Sequence, residues 1–313
     1  MKISASSSNA YRSCKKRFYY YKTQEFKTNL NFIYGIAFET GFEESLKLGL
    51  DIGIEKGLKK FWEQEPEKAH KENLLEKDEY TPEKLKEDID TSVDLLPNMV
   101  TRLYEKVNEM KIEFISNQFK IVSKLENGNL DEGKFDGIVE YNGKNYIWEL
   151  KGCAPQSIKS PEQIKLDNQV LNYLYIANDK GMDVDGIIYC QVVKKIPKEP
   201  KINNNGELST NKKQGCDKEE YLEFAKNMYD EIPEKVMSCY EELKPFIFID
   251  IIPTDKELLE NYKYELLAIS EEMDIFNKEI KSNPTEAFKK CYTNRGLHCS
   301  YCSYKYKCEK GEL

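Results

Sequence analysis

The stretch "FDGIVEYNGKNYIWELKG", Phe135–Gly152, decides the reading of this chain. Asn142-Gly143 between two β-rich runs predicts a two-residue hairpin turn. With that turn, Tyr141 faces Lys144, Ile138 faces Ile147, and Asp136 lands opposite Glu149. Cross-strand neighbours hold their Cβ atoms roughly 5 Å apart, and like charges placed there repel. Side chains alternate along a strand, so Glu149 and Lys151 share the face of Asp136 while Trp148 and Leu150 point away. Two carboxylates and one ammonium at a strand end call for a cation. Hard divalent ions such as Mg2+ or Mn2+ take oxygen ligands, often one or two carboxylates plus water and phosphate. Such an ion activates bound water and polarises a phosphoryl oxygen, and a lysine beside it can position the water or answer charge on the phosphate. The alternative is a surface hairpin whose Glu–Lys pair sits in solvent.

The elements around the hairpin predict an α/β core over residues 111–195. "KIEFISNQFKIVSKL" alternates like the strands of an antiparallel meander. Ser160-Pro161-Glu162-Gln163 starts a helix with N-cap, N1 proline and capping-box glutamine in order, running to about Asn178. "DGIIYCQVVKK", Asp185–Lys195, returns as a strand. Earlier in the chain, residues 4–22 read as a short helix and Gly35–Gln64 as one long helix, with a charged connection after it. Thr81-Pro82-Glu83 starts a further helix to about Met110, with Pro97 a predicted kink or break. Residues 40–110 are thus expected to be a helical insertion or lid. Residues 196–290 hold a polar, turn-rich loop, then helices at about 217–243 and 254–280 with the strand "FIFIDII" between them.

A chain of 313 residues suits one large domain, and the whole of it, 1–313, is read as one. Charged residues make up 33% and hydrophobic residues 40%, as in soluble globular proteins. There is no run of about 18 apolar residues, and the N-terminus lacks the apolar centre of a signal peptide. A cytoplasmic protein without membrane contact is expected. The net charge of −8 gives no overall basic footprint for nucleic acid. Locally, "YRSCKKRFYYYK" carries Arg12, Lys15, Lys16, Arg17 and Lys22 among aromatics with no acid. That mixture suits phosphate contact and base stacking, and equally a solvated helix face whose aromatics turn to the core.

Nine cysteines without an export signal argue for metal ligation or buried thiols rather than disulfides. Cys153, Cys190, Cys216 and Cys239 are scattered, whereas Cys291, Cys299, Cys302 and Cys308 crowd the last part of the chain. Cys14 with Cys299-x2-Cys302-x5-Cys308 could hold a [4Fe–4S] cluster or Zn2+, and spacing does not separate the two. Cys291 and His298 are spare candidates nearby. Ligation of residue 14 by the same group as residues 299–308 would staple almost the whole chain into one loop.

"GKFDG" followed by "IWELKG" resembles the PD-(D/E)XK nuclease superfamily in its RecB-like branch. The resemblance implies a restriction-endonuclease-like α/β fold, a central mixed sheet flanked by helices. It further implies metal binding by Asp136 and Glu149 and catalysis by Lys151. The branch's Gln-x-x-x-Tyr motif is matched by Gln169 and Tyr173 in "DNQVLNYLYIA", four residues apart and so on one helix face, where the resemblance implies that they orient DNA or help order the active site. Most relatives carry a metal-binding His in a Gly-x-x-x-His context. Here "YGIAFETGFEE" matches Gly35 and puts Glu39 in the His position, as in the viral exonuclease branch, and glutamate is a competent Mg2+ or Mn2+ ligand. One early and three late cysteines, with the Ser-rich start "SASSSNAYRSCKKRFYY", resemble iron–sulfur nucleases such as the AddB nuclease domain and the CRISPR adaptation nuclease. That implies a [4Fe–4S] cluster on Cys14, Cys299, Cys302 and Cys308, in a region formed by residues 291–313 and 1–22. It also gives Arg12, Lys15, Lys16 and Arg17 a place on a DNA-facing wall. The expectation is a DNA exonuclease acting on ends or single strands in recombination or repair, with a helicase or recombinase as partner. Its rival, raised by Glu39 in place of His, is a module that grips DNA or a partner and cleaves little.

Overall fold

The computed structural model describes residues 1–24, 28–291, 296, 299, 302 and 304–311. The chain opens with β1 (Lys2–Ser4), α1 (Ala5–Ser13) and α2 (Lys15–Thr23). Ser4 caps α1 in a capping box with Ser7, and extended backbone at Cys14 (φ −168°) separates the two helices that the sequence predicts as one. The helices α3 (Leu30–Leu48) and α4 (Leu50–Glu63) form a hairpin instead of the predicted single helix. Gly49 turns the chain at φ 95°, a conformation open to glycine. A Cβ on Gly57 would lie 2.9 Å from the Gly41 Cα, so these glycines let the two backbones touch. The predicted charged connection contains α5 (Pro66–Glu76), and its His70 ring bonds Asp88 at 2.7 Å. From its Thr81 cap, α6 (Pro82–Met110) runs through Pro97 without a break. Leu95, Leu96, Met99 and Val100 around that proline are buried, and their packing offsets the lost hydrogen bond.

The sheet is built from β2 (Glu113–Lys124), β3 (Leu130–Tyr141) and β4 (Lys144–Cys153), followed by α7 (Pro161–Lys165) and α8 (Asn168–Asp179). The helix predicted after Ser160 breaks at Leu166, and Asp167 caps the second piece by accepting from the Gln169 N–H. Then come β5 (Gly186–Val193), α9 (Lys218–Met228), α10 (Glu234–Glu242), β6 (Ile247–Pro253), α11 (Lys256–Ser282), α12 (Pro284–Lys290) and α13 (Lys305–Lys310). β3 runs antiparallel to β2 and β4, β5 parallel to β4, and β6 antiparallel to β5, giving the expected mixed sheet. On one face, Trp148, Leu150, Ile188 and Val192 pack with α3 and α6, so the 40–110 segment supplies part of the layer covering the sheet. On the other, Phe135, Ile147 and Ile187 pack with α1, α2, α8 and α11. No helix among the described residues is long and apolar enough to cross a membrane.

Register creates a fork. β2 occupies one edge of β3 along its length. The other edge is shared: β1 pairs in parallel with Leu130–Glu132, and β4 pairs from Gly137 onward. Residues 133–136 therefore have no strand partner on that edge among the described residues. Beyond Trp148, β4 leaves β3 and continues beside β5, with Glu149 against Tyr189 and Lys151 against Gln191. Phe135 and Ile138, three residues apart, both join the core on the α8 side, so the strict alternation of β3 is interrupted at the fork.

Candidate active site

The hairpin forms in the predicted register, Tyr141 against Lys144 and Ile138 against Ile147, but its ladder stops at Gly137–Trp148. Asp136 and Glu149 are therefore not a paired step of the sheet. Instead the Asp136 carboxylate accepts the Leu150 N–H at 2.9 Å, a side chain standing in for the backbone partner that β3 no longer provides. Glu149 is fully buried on the α8 side, and its Oε1 accepts from the Lys151 ammonium and from Gln169 Nε2 at 2.7 Å. Gln169 also donates to the Tyr173 hydroxyl at 2.9 Å, and that hydroxyl donates to the Lys134 carbonyl in the unpaired stretch of β3. One turn of α8 thus plugs the fork and ties both of its arms. Asp136, Glu149, Lys151, Gln169 and Tyr173 are brought together.

Glu39 reaches the same place from α3, where its Oε2 accepts from Gln118 Nε2 at 3.2 Å. Burial pushes its carboxyl up to about 7, with the Asp136 charge adding to the effect. Burial likewise raises Asp136, against the pull of Lys151 and of the Leu150 N–H. Glu149 is pushed up to about 8 by burial first, with Asp136 and Glu39 contributing, although Lys151 opposes the shift. Burial works against the Lys151 charge too, yet Glu149 and Asp136 hold its pKa above the ordinary value. Fully buried Glu149 and half-buried Glu39 and Asp136 repel one another beside the Lys151 ammonium, with Lys134 adding a further positive charge, and form an acid-rich centre. Glu149 Oε2 is buried with no hydrogen-bond partner among the described residues. An orphaned carboxylate oxygen in that setting fits a hard divalent cation.

Among the described residues no three His, Cys, Asp or Glu side chains are arranged as a ready-made metal group. The carboxylate centre would then hold a cation with few protein ligands, the remaining positions going to water and phosphate, as Mg2+ prefers. Sequence reading missed two residues here. Glu43, one turn beyond Glu39, is raised by burial and feels Asp136; its i, i+4 spacing in "ETGFEE" was the available signal. Gln118 orients Glu39 from a strand whose sequence gives no hint of it.

The cysteines of the second constellation converge on one cavity, though not as a ready-made metal group among the described residues. Cys14, Cys299, Cys302 and Cys308 line one cavity of about 390 Å3, together with Lys16, Arg17 and Tyr20. Burial raises the Cys308 thiol; Lys16 opposes this, and Cys14, Cys302 and Cys299 add to it. All nine cysteines lie among the described residues, and none is in a disulfide. Cys291 turns its thiol to the Ala287 carbonyl at 3.2 Å, and His298 lies outside the described residues.

The basic segment divides. Phe18, Tyr19 and Tyr20 are buried, which removes them from base stacking. Arg12 is ion-paired with Glu265 at 3.0 Å, and Lys16 sits 4.4 Å from the Phe288 ring centre. Arg17 donates to Ser13 Oγ at 3.4 Å, and Lys15 lies 5.5 Å from the Tyr11 ring centre.

The family model of the PD-(D/E)XK nuclease superfamily matches residues 2–309. The chain belongs to that superfamily. Its mixed sheet flanked by helices is consistent with the restriction-endonuclease-like fold. Superfamily members are in general nucleases and phosphodiesterases, they typically use Mg2+ or Mn2+, and membership implies DNA as the substrate. No curated protein matches the chain.

Proposed function

We propose that this PD-(D/E)XK protein is a cytoplasmic, metal-dependent deoxyribonuclease of the RecB-like branch, an exonuclease acting on ends or single strands in recombination or repair. The observation that carries the reading is the fork, where Asp136, Glu149 and Lys151 meet and Glu149 Oε2 is left without a partner among the described residues. Glu39, Asp136 and Glu149 would hold Mg2+ or Mn2+, which when bound would supply an activated water and polarise the phosphoryl oxygen. Lys151 orients that water and answers charge on the phosphate. Gln169 and Tyr173 fix the Glu149 carboxylate and lock β3 to α8, which keeps the ligands in place. With labelled DNA and Mn2+, Asp136→Ala and Lys151→Ala each abolish cleavage in this reading. Undiminished cleavage by Lys151→Ala removes the assignment.

The cavity lined by four cysteines supports a [4Fe–4S] cluster over a single Zn2+, because a tetrahedral zinc site closes tightly on one ion at Zn–S distances of about 2.3 Å. Iron and sulfide analysis of anaerobically purified protein separates them. The cluster is structural, and it pins Lys15, Lys16 and Arg17 beside the core as a DNA-facing wall; Arg12, held by Glu265, contributes less. A helicase or recombinase is the fitting partner class, one that delivers a strand to the fork. The rival reading, a module that binds DNA without turnover, draws on the absence of a ready-made metal group among the described residues. Metal-dependent cleavage that Asp136→Ala abolishes excludes it.

A further inference from the structure

Among the described residues most cations around the fork are answered by an acid, Lys134 by the nearby Glu39 and Asp136. Lys151 meets Glu149, and Lys159 meets Asp167. Arg102 on α6 feels Asp217 and Glu220. Lys194, one residue beyond β5, forms no ion pair among the described residues. Its backbone N–H donates to the Cys153 carbonyl at 2.8 Å, which fixes it at the shared end of β4 and β5, three residues in sequence past Gln191, the register partner of Lys151. Its side chain lies across Gly152, where an added Cβ would come 3.0 Å from the Lys194 Cε. The ammonium ends 5.1 Å from the Tyr34 ring centre and 3.5 Å from Asn31 Oδ1. Burial lowers the Lys194 pKa, and the Cys153 thiol opposes the shift.

The side of α3 joins this lysine to the metal centre. Asn31, Gly35 and Glu39 are spaced by four and so lie along one helix face. Asn31 touches Lys194, Glu39 faces Asp136, and at Gly35 between them an added Cβ would meet nothing within 4 Å. At about 1.5 Å rise per residue, the two ends of the stripe are about 12 Å apart. That is on the order of two to four nucleotides of a strand.

We infer that Lys194 is a phosphate-positioning residue, seated by Gly152 and Tyr34, that takes a backbone phosphate of single-stranded DNA a few nucleotides from the bond cut at the fork. The inference rests on the nuclease reading for its substrate. A half-buried ammonium with no carboxylate partner among the described residues, and only a thiol in Cys153 nearby, gains from an anion brought by a ligand. The open strip at Gly35 gives the strand its path.

The test uses the full chain and a fluorescent single-stranded oligonucleotide. Anisotropy titrations in EDTA over 50–200 mM salt compare wild type, Lys194→Gln and Lys194→Arg, with thermal unfolding of each recorded. Lys194→Gln is expected to weaken binding roughly three- to tenfold and to flatten the slope of log Kobs against log salt by about 0.7, the value for one single-strand phosphate contact. Lys194→Arg restores both. With Mn2+, the loss in kcat/KM falls on KM. An unchanged salt slope for Lys194→Gln overturns the assignment, as does a fall in thermal stability that Arg does not rescue, since that marks a purely structural contact with Tyr34. A wild type that binds but never cleaves sinks the nuclease reading while the salt slope still judges Lys194.

Discussion

Glu149→Gln is expected to inactivate the protein and, without metal, to stabilise it. Glu149 has no exposed surface, and burial moves its carboxyl from 4.5 to about 8. Between those values the native state carries a proton that the unfolded chain lacks. Stability of the metal-free protein therefore falls as pH rises through that window and levels off above about 8. At pH 7 the gap is about 2.5 pH units at 1.36 kcal/mol each, on the order of 3 kcal/mol. Glutamine is neutral at every pH and keeps an oxygen that can accept from Gln169 and Lys151, so it escapes this penalty. Lys151 adds no slope, because its raised pKa leaves it charged in both states over the same range. Glu39 and Asp136, raised in the same sense, leave the variant with a smaller slope of the same sign.

Urea unfolding in EDTA at pH 5, 7 and 8.5 reads this directly. The two proteins should differ by under about 1 kcal/mol at pH 5, and the variant should lead by on the order of 3 kcal/mol at pH 7. Mn2+ then narrows the difference. Wild type gains about 2.7 kcal/mol at a hundredfold excess over Kd, and the variant, with a weaker ligand set, gains less. A variant that is less stable than wild type at pH 7 without metal would refute the account of Glu149 as a buried charge waiting for a cation.

Two further outcomes test the fork. Gln169→Leu removes the donor to Glu149 while keeping the side-chain volume, and should lower Mn2+ affinity or activity by roughly 10- to 100-fold, measured by metal titration of the cleavage rate. Gly137→Ala would place a Cβ 2.8 Å from the Ser116 carbonyl oxygen, where backbone cannot step aside, and should cost about 1–3 kcal/mol in thermal unfolding.

Much of this was legible because it rests on local rules. Asn142-Gly143 fixed the turn and hence the register, and the Ser160 capping box fixed a helix start. The α/β core followed from those signals. What was not legible depends on distant backbone. The parallel contact of β1 with residues 130–132 leaves no periodic signal in three residues, yet it accounts for half of the fork. The like charges that the hairpin appeared to oppose are kept out of the ladder because β4 departs one step early. Apolar spacing continues across Gly49, so α3 and α4 read as one helix; only the glycines at 41, 53 and 57 hinted at two backbones in contact. Glu39 came into view through resemblance alone. Its burial against Asp136 is a tertiary fact that a helical glutamate does not announce.

The proposed cluster and the fork are linked through β1. That strand occupies the edge of β3 next to the gap at residues 133–136, so it helps keep β4 from closing the ladder over Asp136. Only α1 lies between β1 and Cys14, and the cavity of the four cysteines ties Cys14 to the far end of the chain. A staple there limits how far β1 can fray, since a terminal strand of three residues has little of its own to hold it. The thiols touch none of the carboxylates, yet Cys308→Ser should therefore weaken Mn2+ binding at the fork as well as lower the melting temperature. Hydrogen exchange should locate the loosening at residues 2–4 and 130–136. If Cys308→Ser loses its iron while exchange at those residues and Mn2+ affinity both stay at wild-type values, the two sites are independent and the fork stands without its staple.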